Sequence, residues 1–184
     1  RCQAGAPGAF EDLIAVMERP LLYYAIKLTG SQDSALEVLQ ETWIKALRGI
    51  RGMRDPASLR PWLYRIVHGI AVDRIRRNCS RERAEDIHSE TFQKDAEAPA
   101  FAPENAAAVH RALDELAPKY RDVLVLYFLE DFYVAQIAEV TACPEGTVKS
   151  RLHHARKAKK CICLRGGYGT DVYPYLVRVA ARTF

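Results

Sequence analysis

The chain has 184 residues, 49% of them apolar and 27% charged, with a net charge of +4, enough to bury one medium core or two small ones. No run approaches the roughly 18 apolar residues of a membrane span, and no basic segment followed by an apolar one opens the chain, so direct membrane insertion and secretion are not expected. Five scattered cysteines, Cys2, Cys79, Cys143, Cys161 and Cys163, are odd in number and too sparse for a disulfide framework, which points to a cytoplasmic location. The chain opens at Arg1 rather than Met, and the expectation is that its first residues are missing or trimmed.

Apolar residues recur three and four apart, the helical period, and strand signal is nearly absent before residue 170. In "FEDLIAVMERPLLYYAIKLTG", Phe10, Leu13, Ile14, Met17, Leu21, Leu22, Ala25 and Ile26 form one stripe ended by Gly30, and Pro20 is expected to kink or interrupt the helix. Ser31 or Asp33 can cap the next helix, whose Leu36, Leu39, Ile44 and Leu47 should face inward until Gly49 stops it. "RGMRDPAS" reads as a turn-rich loop. A third helix, from about Leu59 to Arg83, should bury Leu63, Ile66, Val67, Ile70 and Ile75. Together these helices make one small domain over 1–83.

Residues 84–105 mix acidic residues with Ala and Pro and hold no sustained period, the composition of a flexible linker. Beyond it, Val109, Leu113, Leu116, Val123, Leu124, Leu126, Tyr127 and Leu129 outline two helices broken near Pro118. A short helix around Val134–Val140, a turn at "TACP" and a final basic helix complete a second domain over 106–163. The tail, 164–184, has a Gly cluster and an alternation near Val172–Val179 compatible with a short strand, an added regulatory segment or sequence foreign to the rest. The fold class expected is all-α: two small helical domains joined by a flexible acidic linker, the second a helix-turn-helix of winged-helix-like type.

Charge is distributed in blocks. Residues 60–83 set Arg60, Arg65, Arg74, Arg76, Arg77, Arg81 and Arg83 against Asp73 and Glu82, and 144–165 set Lys149, Arg151, Arg156, Lys157, Lys159, Lys160 and Arg165 against Glu145. Between them, 84–105 oppose Lys94 to Glu85, Asp86, Glu90, Asp95, Glu97 and Glu104. Two basic patches flanking an acidic spacer suit a protein that grips a polyanion at two places; two solvated helix faces are the plainer alternative.

In "CPEGTVKSRLHHARKAKK", Pro144 suits the first helical position, and Val148, Leu152 and Ala155 make a narrow stripe that can dock on "VAQIAEV". Glu145, Thr147, Lys149, Ser150, His153 and Arg156 then lie outward, with the earliest nearest the N-terminus, as in a recognition helix. Many basic amphipathic helices share that spacing, so the pattern alone is moderately specific. "RPWLYRIVHGIAVDRIRR" interleaves Trp62, Tyr64 and His68 with arginines, a mixture suited to stacking unpaired bases; Trp62 by itself is equally compatible with a core position.

With both halves in view, residues 10–160 resemble a bacterial extracytoplasmic-function (ECF) sigma factor, a specificity subunit of RNA polymerase. "LEVLQETWIKAL" is similar to that family's polymerase-binding helix, "LRPWLYRIVHGIAVDRIRR" to its melting and −10 recognition helix, and the stretch ending "GTVKSRLHHARK" to its −35-binding domain. The resemblance implies that Glu37, Gln40, Glu41 and Ile44 meet the clamp helices of the largest polymerase subunit. It implies that the loop from Arg51 to Ser58, Arg54 included, cradles a flipped −10 base, and that Trp62, Arg65, His68, Asp73, Arg76 and Arg77 line the single-strand path. Thr147, Lys149, Ser150, Arg151, His153, His154 and Arg156 would contact −35 duplex, while the acidic linker threads toward the active-site and RNA-exit region. Partners so implied are core RNA polymerase, promoter DNA and an anti-sigma factor, with no small-molecule substrate and no cofactor.

The chain departs from the family pattern at Gly69, where Asn is common, and at Tyr133, where Ser often caps the short helix, leaving a weaker cap or one supplied by Asp131. Cys161 and Cys163 form only a Cys-x-Cys pair without a second ligand pair, so no metal site is expected. No catalytic constellation stands out, and the chain is not expected to be an enzyme. Two other readings stay open: a sigma-like decoy that sequesters an anti-sigma factor, and a stand-alone helix-turn-helix regulator.

Overall fold

Three helices carry the first half of the chain: α1 (Ala9–Thr29), α2 (Gln32–Gly49) and α3 (Leu59–Ala84). A computed structural model describes residues 1–84 and 113–165, with side chains at 1–78 and 113–155; among these there is helix and turn but no strand, and the all-α expectation holds. The linker between Glu85 and Asn105, the tail from Gly166, and the side chains of Arg81, Arg83, Arg156, Cys161 and Cys163 lie outside the described residues.

The chain clusters into two compact units, one built on α1–α3 and one on the helices from Leu113 onward apart from residues 139–141. In the first, every helix packs against the other two. Leu21, Tyr24, Leu63, Tyr64 and Val67 are fully buried, and the Tyr24 and Tyr64 rings meet at 5.2 Å. Each such side chain contributes about 1.5–3 kcal/mol of burial free energy.

Two expectations about these helices need correction. Pro20 does not interrupt α1, which runs on to Gly30, a residue in the left-handed region at φ 73° whose N–H reaches the Ile26 carbonyl at 2.8 Å. The residue whose carbonyl Pro20 leaves without a donor, Val16, is 72% exposed, so water can take the missing bond. The second correction concerns which stripe of α2 faces inward. Its buried residues are Ala35, Val38, Leu39, Thr42 and Ala46, whereas Leu36, Ile44 and Leu47 are 41%, 51% and 57% exposed. Small side chains let α2 approach both neighbours closely, and the bulkier stripe turns outward. Ile75 is also outward, one turn beyond Ala71, the last buried position described on α3.

Ser31 caps α2 by accepting from the Ser34 N–H at 3.4 Å, and Asp33 adds negative charge to the first turn, where the helix dipole favours it. Between α2 and α3 the chain makes two 3₁₀ turns, Ile50–Gly52 and Pro56–Ser58. Asp55 caps the second, accepting from the Ala57 N–H at 3.0 Å and the Ser58 hydroxyl at 2.9 Å.

The second unit holds α4 (Pro118–Leu124), which passes into a π-helical turn at Val125–Leu129, then α5 (Val134–Val140) and α6 (Glu145–Arg165). Pro118 stands in the first turn of α4, as the break near it requires. The Arg121 guanidinium donates to the carbonyls of Leu113 (3.0 Å), Asp114 (2.8 Å) and Leu116 (3.1 Å), and the Leu113 carbonyl also accepts from the Leu116 N–H at 3.1 Å, so the turn ahead of α4 is held from two sides. Val123–Leu126, Phe132, Ile137, Val148, Leu152 and Ala155 form the core. The stripe on α6 is buried as its spacing requires, but α6 packs chiefly against α4 rather than along "VAQIAEV".

Candidate nucleic-acid interface

The turn between α5 and α6 sets the orientation of the basic helix. Ala142 lies in the left-handed region at φ 49°, and the Cys143 N–H returns to the Ala138 carbonyl at 3.1 Å. Pro144 precedes the helix instead of occupying its first position: its carbonyl accepts from Thr147 N–H (2.9 Å) and Val148 N–H (3.1 Å), so Glu145 begins α6. The start of α5 is closed by Gln136, whose Oε1 accepts from the Tyr133 N–H at 3.0 Å, the returning half of a capping box. Asp131, at φ 52°, belongs to the turn before it; the cap therefore comes from Gln136.

On α6, Lys149, Ser150, His153 and His154 are exposed with Gly146 on one side of the helix, and Thr147 is half-buried at its edge. The His153 and His154 rings, although adjacent in sequence, meet edge-on at 5.7 Å, and His154 lies 6.3 Å from the Tyr120 ring on α4. Lys119 stands 5.0 Å over that same Tyr120 ring. Tyr120 and Lys119 thus border the exposed side of α6, a placement no local spacing announces. Lys149 pairs with Glu145 at 3.7 Å, both ends solvent-exposed, an interaction worth little that a phosphate can displace. Arg151 is placed differently: half-buried, it directs Nη1 to the Cys143 Sγ at 3.8 Å and braces the turn.

In the first unit, α3 turns Trp62, Arg65, Gly69, Asp73 and Arg76 to one side, within an arc of roughly 80° at 100° per residue. Arg65, Gly69, Asp73 and Arg76 are exposed. Arg77, at the edge of that arc, folds back so that its Nε donates to the Asp73 carbonyl at 3.3 Å. His68 is half-buried and off this side. Gly69 has no atom within 4 Å of where a Cβ would stand, so a longer side chain there would be accommodated.

At the head of this face is a cavity of about 410 Å³ lined by Gly49, Gly52, Met53, Arg54, Asp55, Ser58 and Trp62. The carboxyl of Asp55 is held below the usual aspartate range, first by the Ala57 N–H and then by the Ser58 hydroxyl. Trp62 is not part of the core: it is half-buried and forms one wall of the cavity. It packs on Gly49, where a Cβ would lie 2.8 Å from its Cζ2. Gly49, read from sequence only as a helix stop, is the seat of the indole.

On α2, Glu37, Gln40 and Ile44 are exposed and Glu41 half-exposed, sharing one side with Leu36 and Leu47. Glu37 accepts from Arg74 Nη1 on α3, and Glu41 pairs with Lys45 at 2.9 Å. Among the described residues no group of three or more His, Cys, Asp or Glu is placed to hold a metal, and no helix is long and apolar enough to cross a membrane.

Comparison with known proteins matches residues 13–81 to sigma-70 region 2 and residues 106–158 to sigma-70 region 4. The RNA polymerase sigma factor SigV of Bacillus subtilis is 33% identical over 133 residues, 72% of this chain and 78% of its own. The RNA polymerase sigma-H factor of Pseudomonas aeruginosa is 33% identical over 169 residues, covering 86% and 88%. The ECF RNA polymerase sigma factor SigM of Mycobacterium tuberculosis is 33% identical over 155 residues, covering 83% and 76%. Among solved structures, the sigma factor RpoE of Bartonella quintana, in complex with the anti-sigma factor NepR, shares the fold at a TM-score of 0.72 and 23% identity, over 83% of this chain and 95% of that one.

Proposed function

The chain belongs to the extracytoplasmic-function sigma factors, which direct RNA polymerase to promoters, and from that premise we propose how its surfaces divide the work. The exposed side of α6, with Thr147, Lys149, Ser150, His153 and His154, reads the −35 duplex, and Arg156 extends the phosphate grip. Arg151 contributes mainly by holding the turn that aims the helix. The face of α3 with Arg65, Asp73, Arg76 and Arg77 guides the single non-template strand, and the cavity beside Trp62 and Arg54 receives one flipped −10 base; its volume is that of a small-ligand site.

Gln40 and Ile44, with Leu36 and Leu47, dock on the clamp helices of the largest polymerase subunit; Glu37 and Glu41 act at the rim because each already has a cationic partner. Residues 1–83 and 106–163 are the two working domains, and 84–105 thread along the polymerase as an acidic mimic of nucleic acid. The chain performs no bond-making step itself; that chemistry belongs to the polymerase. It acts in the cytoplasm, and an anti-sigma factor of the kind seen with RpoE holds it inactive by covering these faces.

The observation that carries this reading is that both sigma regions are present in one chain while the basic side of α6 stays exposed. A decoy would have no use for that surface, and a stand-alone regulator would have none for the apolar stripe on α2. The test is reconstitution with sigma-free bacterial core polymerase and run-off transcription across a promoter-fragment library, comparing the wild type with Lys149→Glu. Promoter-selective transcripts that vanish with the substitution are expected. Absence of core binding with retained affinity for another protein would favour the decoy, and duplex binding without core binding the regulator.

A further inference from the structure

Residues ahead of α1 reach the turn that borders the cavity. Arg1 pairs with Asp12 at 3.4 Å, Cys2 Sγ donates to the Ala9 carbonyl at 3.0 Å, and the Gly5 and Ala6 N–H groups turn back to the carbonyls of Cys2 and Arg1. This folded segment carries Gln3 to the first 3₁₀ turn, where its Nε2 donates to the carbonyls of Ile50 (3.3 Å) and Met53. Only the amide NH₂ can serve two carbonyls, so the side-chain orientation follows from chemistry alone.

Met53 lines the cavity, and Ile50 sits between its other lining residues Gly49 and Gly52. Within this stretch Met53 N–H bonds the Ile50 carbonyl at 3.3 Å, so Gln3 ties together the two ends of the turn whose near side is the cavity wall. Gln3 itself is exposed and lies outside the stretch matched to sigma-70 region 2.

We infer that Gln3 is a positioning residue for the base-holding cavity: by fixing the Ile50–Met53 turn it sets how closely the part of the wall formed by Gly52 and Met53 fits a flipped base. This rests on the proposal that the cavity receives such a base. Prior fixing of a wall lowers the ordering cost of binding, and the loss of hydrogen bonds of ordinary strength corresponds to roughly 3- to 10-fold in affinity.

The experiment uses holoenzyme assembled from core polymerase and the full chain, titrated by fluorescence polarisation with fork-junction promoter DNA. In one DNA series each −10 base of the non-template strand is replaced in turn by an abasic site. For wild type, one position is expected to cost the most when its base is removed. Gln3→Ala, and the near-isosteric Gln3→Glu, which puts acceptors against two carbonyls, should shrink that penalty by roughly 3- to 10-fold while leaving affinity for DNA already abasic at that position unchanged. Comparing intact and abasic DNA cancels general effects of charge or folding. An unchanged penalty, or equal losses on both DNAs, would overturn the role of Gln3. A wild type indifferent to base removal at every position would instead overturn the cavity reading itself, and this inference with it.

Discussion

Arg74 of α3 donates through Nη1 to the Glu37 carboxylate of α2, tying a residue of the basic helix to one on the proposed polymerase-docking side. Glu37 is therefore not a free acid waiting for a partner. Its side chain is 60% exposed and that of Arg74 is 27% exposed, so the pair contributes at most about 1 kcal/mol to folding.

It follows that acidity is the lesser part of the docking side. Glu37→Ala should weaken assembly with core polymerase only a few-fold, whereas Ile44→Asp, which places a charge in the middle of the stripe formed with Leu36 and Leu47, should weaken it by two orders of magnitude or more, about 3 kcal/mol or above. Both variants should retain the wild-type Tm to within a few degrees, because Ile44 is exposed in the free chain. Native gel titration against core polymerase measures the affinities. A Glu37 effect as large as that of Ile44 would return the acidic residues to the centre of the interface.

Lys149 and Arg151, two residues apart, should fail in different ways. Lys149 stands on the exposed side of α6, so Lys149→Ala is expected to lower −35 affinity on all sequences and reduce the salt slope of binding by about 1. Arg151 faces the turn at Cys143. Arg151→Ala should lower the Tm of the second domain and leave the salt slope nearly unchanged, a pattern readable by paired thermal melts and salt-dependent duplex titrations. A reduced slope without loss of Tm would place Arg151 on a phosphate instead.

The cavity should have its own acid limit. Asp55 is held below the usual aspartate pKa of about 3.9 by the hydrogen bonds that cap Pro56–Ser58. The folded-state value is depressed, so this cap is fully present above the unfolded-state pKa and is lost as pH falls through the lowered folded-state one. Trp62 reports it: in a Trp43→Phe background its fluorescence should stay constant from neutral pH down to about 4 and change below that. Asp55→Asn keeps an acceptor for Ala57 and should abolish this step while preserving the neutral-pH signal. A step that persists in Asp55→Asn would assign it to another group.

The helical period and the breakers make the elements legible in the sequence, and Ser31, Gly30 and Pro118 act near where their local chemistry places them. Periodicity fails at α2 because that helix carries two candidate stripes, and it weights the bulky one, whereas close packing against two neighbours selects the one with Ala35 and Ala46. Exposed Leu36, Ile44 and Leu47 are then the trace of a surface, not a core. The cavity is only half legible: its loop stands out by composition, but Gly49 matters for the indole of Trp62, thirteen residues further on, and Gln3 matters for a turn nearly fifty residues away. Contacts of that span follow from the fold and leave no mark on local spacing. Gln136, by contrast, caps α5 from three residues away, a spacing that is visible in the sequence.

The turn that aims α6 stores a cost that can be removed. Ala142 adopts φ 49°, a left-handed conformation that crowds Cβ against its own carbonyl and costs an L-residue about 1–2 kcal/mol. Glycine avoids the crowding but loses more backbone entropy on folding, which offsets about 0.5–1 kcal/mol of the gain. Ala142→Gly should therefore stabilise the second domain by about 0.5–1 kcal/mol and raise its Tm by a few degrees. The backbone already has the geometry glycine prefers, so the angle of α6 and the −35 affinity should not change. Differential scanning calorimetry together with a duplex titration decides the matter. A lower Tm would mean that the methyl group of Ala142, although exposed, holds the turn in place, and a higher Tm with weaker DNA binding would mean that restraint at this residue is what aims the recognition helix.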